Sequence, residues 1–165
     1  MQTKSNSLSI VYLLALALAF NPVTAFSAMI LLTPTDAQQL NITDLEWQKI
    51  PMQRSAFENG PQITFKDPTA KTEASGIILE TTSPTDMWIS FEKNLAPVDP
   101  STLEVKVCKR IFCRSLQDKL SEYFVGTDLK AQNVSIPEGN FHITIAIADQ
   151  QGNKTSQDYL LKVEN

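Results

Sequence analysis

Histidine occurs once in this chain, cysteine twice and glycine five times, and each scarcity removes a class of chemistry. A lone imidazole, His142, leaves acid–base schemes short of a partner and rules out a His-Glu-x-x-His helix for a catalytic zinc. The few glycines never take the spacing of a phosphate-cradling loop, and no Gly-x-Ser-x-Gly elbow is present. Blocks of like charge, internal repeats and low-complexity tracts are missing too. So is any apolar run of the roughly 20 residues that a helix needs to cross a hydrocarbon core.

What is present begins with a leader. Lys4 supplies a positive start, Leu8 to Phe20 is largely apolar, Asn21-Pro22 ends that run, and Val23-Thr24-Ala25 offers small residues to a signal peptidase. Cleavage after Ala25 is expected, with a periplasmic or secreted product and no stable membrane insertion afterwards. Both cysteines lie far from the cut, so no thiol is there to carry an N-terminal lipid. Removing residues 1–25 takes one of the 14 basic residues and none of the 18 acidic ones, leaving a formal charge of −5. That balance gives a nucleic acid or an anionic membrane no long-range attraction.

Residues 26–59 read as an N-terminal extension. Met29 to Leu32 suggests a short strand, Thr35-Asp36 a turn before Ala37 to Leu40, and the alternation of Leu40 with Ile42 and of Leu45 with Trp47 an edge strand or a cover. Gly60-Pro61 marks a boundary. Beyond it strands are expected at Gln62 to Phe65, Ile77 to Thr81, Met87 to Phe91, Leu103 to Val107, Phe141 to Asp149 and Asp158 to Val163, each with apolar residues at period two. Leu95 to Pro100, with two prolines, reads as a loop.

Cys108 and Cys113 bracket Lys109-Arg110-Ile111-Phe112, so a hairpin there would bring their alpha carbons within disulfide reach. An oxidising compartment favours that bond, whereas four intervening residues do not suit a redox pair. Ser115 is expected to cap a short helix carrying Leu116, Leu120, Tyr123 and Phe124 on one face, stopped by Gly126.

The succession Gly60-Pro61-Gln62-Ile63, Ser83 to Phe91, Ala96 to Val105, Pro137 to His142 and Asp149 to Asn153 resembles bacterial immunoglobulin-like domains of exported proteins, over residues 60–165. The resemblance implies an all-β, antiparallel immunoglobulin-like sandwich of about seven strands. It also implies a non-catalytic interaction or accessory module without a cofactor, whose partner is an envelope or extracellular protein. A carbohydrate-binding module and a small secreted hydrolase are the alternatives.

Four residues are singled out for partner contact. Trp88 falls on the face opposite Met87, Ile89 and Phe91, and an outward indole needs either a partner or an intramolecular cover. Lys106 and His142 would join it if their strands lie nearby, and Trp47 is either the cover or a second anchor. A glycan would call for an aligned exposed pair drawn from Trp47, Trp88 and Tyr159. Asp149, in Asp149-Gln150-Gln151-Gly152-Asn153, reads as a turn former, since that stretch lacks the dense oxygen ligands of a calcium loop.

Overall fold

A computed structural model describes residues 28–51 and 59–164. The leader over residues 1–25 and residues 52–58 of the extension lie outside the described residues. In chain order the elements are β1 (Met29–Ile30), α1 (Pro34–Leu40), α2 (Asp44–Gln48), β2 (Gln62–Asp67), β3 (Ala70–Glu73), β4 (Gly76–Thr82), β5 (Thr85–Glu92) and β6 (Val98–Lys109). They continue with β7 (Phe112–Ser115), α3 (Gln117–Leu120), a 3-10 turn (Ser121–Tyr123), β8 (Phe124–Val125), β9 (Asp128–Ser135), β10 (Gly139–Asp149) and β11 (Lys154–Glu164).

The fold is an all-β sandwich with a short helix. The first sheet runs β1-β9-β5-β2, with β8 also on β9, and the second runs β3-β4-β11-β10-β6-β7. Period two decides which residues meet between them. Ile63, Phe65, Met87, Ile89 and Phe91 from the first sheet face Val105, Val107, Phe141, Ile143, Ile145 and Leu161 from the second, all buried in one cluster. Pairing is not wholly antiparallel: β1 with β9 and β4 with β11 run parallel. Parallel neighbours require a crossover, and here the chain between them supplies it by passing through the opposite sheet.

The extension is built into this core. Leu31, Leu32, Ala37 and Leu40 belong to the same buried cluster as the strands. Of the two readings of Leu40 to Trp47 the edge strand is corrected and the cover is what forms: Asn41 makes a single bridge to Phe141, helices flank it, and Ile42 and Trp47 pack on the second sheet. Thr33 caps α1 with Asp36 at the third position, and Thr43 caps α2 with Glu46. In each, the hydroxyl accepts from the backbone N–H while the carboxylate accepts from the cap, which satisfies two donors that a helix start leaves open. Gly60 and Pro61 are themselves buried. A β-carbon on Gly60 would lie 2.4 Å from Thr155 Oγ1 and 2.8 Å from the Lys154 carbonyl carbon, so glycine is what lets the chain pass under the start of β11.

Two further expectations change. Leu95 to Pro100 is loop only as far as Pro97, since β6 begins at Val98. The register between β6 and β10 slips there, with Ala146 opposite Glu104 but Ala148 opposite Asp99, and this bulge accommodates Pro100, which has no amide to donate. The helix after Cys113 is four residues long, Leu116 rather than Ser115 sits at its N-cap without a side-chain cap bond, and Phe124 belongs to β8. Its apolar residues still serve the core: Leu116 and Leu120 are buried in it.

Asp149 forms the β10–β11 turn as expected. Its Oδ1 accepts from the backbone N–H of Gln151 and of Asn153, each at 2.9 Å, and its Oδ2 accepts from Asn153 Nδ2 at 2.8 Å. The Asn153 side-chain bond leads the group in holding this carboxyl below its ordinary range.

Candidate functional site

The site grows from the way α2 is seated. Trp47 is buried with Ile42, Ile78 and Leu160 in a second, smaller cluster, against which Ile50 packs. Ile78 and Leu160 neighbour the inward Leu79 and Leu161 in sequence, so they project from the outer face of the second sheet, where α2 covers them. His142 is on that outer face as well, its ring centroid 5.7 Å from that of Trp47. Its Nε2 lies 3.0 Å from Asp158 Oδ1, which also accepts from Thr144 Oγ1 at 2.7 Å. Under the helix the His142 side chain is only 12% accessible.

Opposite α2 stands the β6–β7 hairpin. Lys109 pairs with Phe112 and Cys108 with Cys113, and the turn between them is made possible by Arg110 at a φ of 56°. The two cysteines form a disulfide across a Cα separation of 4.1 Å. Their close approach is what two facing strand residues provide where the ladder exchanges no hydrogen bond.

Three cations of this hairpin bind the extension. Arg114 gives Nε and Nη2 to Asp36 Oδ1 at 3.1 and 2.6 Å, Lys109 Nζ donates to the Asn41 carbonyl at 2.5 Å, and Arg110 Nη2 lies 3.3 Å from Glu46 Oε1. The two carboxyls respond. Asp36 is held below the usual range by the Thr33 hydroxyl first and by Arg114 next, and Glu46 by the backbone N–H of Thr43 first.

Between α2 and the hairpin lies a cleft of about 340 Å³, walled by Ile42, Ile50 and Pro51 and edged by Glu46, Lys49, Lys109, Arg110 and His142. One residue further along the hairpin, Ile111 is 88% exposed and Phe112 is 71% exposed. Two adjacent apolar side chains are thus held in water beside a covalent staple.

The four sequence candidates do not assemble. Trp88 is on the outer face of the first sheet, whereas Lys106 and His142 belong to the second and Trp47 packs on that sheet from α2, so the sandwich separates them. The expectation that Trp47 covers Trp88 is therefore corrected. Trp88 stays 41% exposed and finds its company locally. Lys130 Nζ lies 4.4 Å above the ring centroid and 3.2 Å from Asp128 Oδ2. Lys106 pairs with Glu104 at 3.1 Å. Tyr159 is buried, edge-on to Phe65 with centroids 4.8 Å apart, so Trp47, Trp88 and Tyr159 make no aligned exposed pair.

Of the four residues singled out for partner contact, the cleft is lined by His142 alone. The hairpin tip has a signal of its own in the sequence, the consecutive apolar pair Ile111-Phe112 following Lys109-Arg110 where a turn is expected. Thr144 Oγ1 gives its proton toward the same Asp158 oxygen that faces His142 Nε2, so the imidazole and the hydroxyl share one carboxylate oxygen. Among the described residues no helix is long and apolar enough to cross a membrane. No protein-family model matches the chain, and no curated protein sequence is significantly similar to it.

Proposed function

We propose that this protein is an exported, non-catalytic, immunoglobulin-like interaction module that docks an envelope or extracellular protein through the β6–β7 hairpin and the cleft beside it. The observation that carries the reading is the exposure of Ile111 and Phe112 at the end of a disulfide-closed turn. Export is supported by the leader pattern and by a bond that persists in oxidising compartments. Burying both side chains against a partner is worth roughly 1.5–3 kcal/mol each. The staple lowers the ordering cost of doing so, because the turn is already closed before contact.

The experiment is capture of envelope proteins by the mature chain, compared with an Ile111→Ser, Phe112→Ser variant that keeps its disulfide and its melting temperature. Loss of roughly 3–6 kcal/mol corresponds to weakening by a factor of about 100 or more, so specific capture should vanish. Capture unchanged in the variant would refute the assignment of the surface.

A further inference from the structure

We infer that the segment this surface takes is an acidic peptide with an apolar side chain beside its carboxylates. This rests on the reading that the hairpin and cleft form the docking surface, and it names the chemistry of what docks.

Charge complementarity within a concave site points to this occupant. The chain as a whole is acidic, with a formal charge of −4, yet Lys49, Lys109 and Arg110 border the cleft against a single carboxylate, Glu46. That carboxylate is already engaged: its Oε2 accepts from Thr43 N at 3.0 Å and its Oε1 faces Arg110. Arg110 is less committed. Its side chain is 79% exposed and it meets Glu46 through Nη2 alone at 3.3 Å, which leaves further N–H donors of its guanidinium for a carboxylate arriving from solvent. Ile42, Ile50 and Pro51 supply an apolar wall alongside these charges.

Size and shape narrow the occupant. A cleft of about 340 Å³ is at the low end of the roughly 300–1,000 Å³ of small-ligand sites, enough for one or two side chains of an extended segment. The exposed Ile111 and Phe112 stand next to it and would flank that segment. A bilayer could meet the hairpin tip but would leave the concave wall unused, and an anionic one would be repelled by the chain's overall charge.

The test is selection from a display library of random dodecapeptides on the full mature chain with its disulfide intact. Binders are then synthesised with a fluorescent label and titrated at two salt concentrations. Peptides pairing Asp or Glu with Leu, Ile or Phe should be enriched. Lys49→Gln and Arg110→Gln, both at exposed positions, should each weaken binding about tenfold and flatten its salt dependence. Binders that need Ile111 and Phe112 but show no acidic enrichment would sink the chemistry and leave the docking surface standing. Binders indifferent to the hairpin, or no binders at all, would sink both. Sedimentation with phosphatidylglycerol vesicles but not phosphatidylcholine vesicles, in the absence of selected peptides, would replace the peptide with a membrane.

Discussion

Trp47 offers a substitution pair in which two opposed energies can be separated. The side chain is 2% exposed, and its indole nitrogen is one of two buried side-chain atoms among the described residues that lack a hydrogen-bond partner. Trp47→Ala removes the ring that fastens α2 to Ile78 and Leu160, and a deletion of that kind costs roughly 3–5 kcal/mol. Trp47→Phe keeps most of the ring. It gives up two buried carbons, about 1.6 kcal/mol at roughly 0.8 kcal/mol each, and it also removes an unsatisfied N–H whose burial costs roughly 1–3 kcal/mol. The two terms offset, so Trp47→Phe should stay within about 1 kcal/mol of the parent protein while Trp47→Ala falls far below it. Urea denaturation followed by circular dichroism measures both, with the slope checked to show that the unfolding transition has not changed character. Equal losses for the two variants would refute the reasoning, because they would mean that the indole N–H has a partner worth several kcal/mol.

Gly60→Ala should lower stability by roughly 1–3 kcal/mol, read as a fall in melting temperature, since its β-carbon meets backbone of β11 that has no room to yield. Reducing the Cys108–Cys113 bond should cost about 2 kcal/mol on the loop-closure estimate for so short a loop, and hydrogen exchange at Lys109 to Phe112 should rise more than elsewhere. Asp36, Glu46 and Asp149 all ionise more readily folded than unfolded, so the unfolded chain binds more protons in the acid range. Their contribution is therefore complete above the ordinary carboxylate range and is lost as pH falls through it toward the lower folded values. A stability profile from about pH 6 to pH 3 should show this decline, and Asp36→Asn should make it shallower.

The sandwich was legible wherever one face of a strand is dry and the other wet. Met87, Ile89 and Phe91, and likewise Leu103, Val105 and Val107, announce their strands because period two is unbroken. β9 was missed because its buried residues run Leu129, Ala131, Val134: a left-handed Asn133, at a φ of 53°, shifts the alternation by one. β3 has no buried side chain to mark it and β8 is two residues long, whereas the short strand expected over Met29 to Leu32 is present as β1. The covering role of α2 had a trace in the sequence, since Ile77-Ile78-Leu79 and Tyr159-Leu160-Leu161 are apolar on both faces of their strands and so require something on the outside. The disulfide was legible from spacing and compartment alone. The cleft was not, because it joins Ile42 and Ile50 to Lys109 and His142 across some hundred residues, and no local pattern records that meeting.

The claim that most needs testing is that the hairpin tip, and not the exposed tryptophan on the other sheet, is where a partner docks. A photoreactive phenylalanine analogue placed at position 112 and, separately, at position 88 would decide it, with adducts from the producing cell's envelope identified by mass spectrometry. One partner should crosslink at position 112, competed by the unlabelled mature chain, with no adduct at position 88. Adducts at position 88 alone, or at neither position, would contradict it.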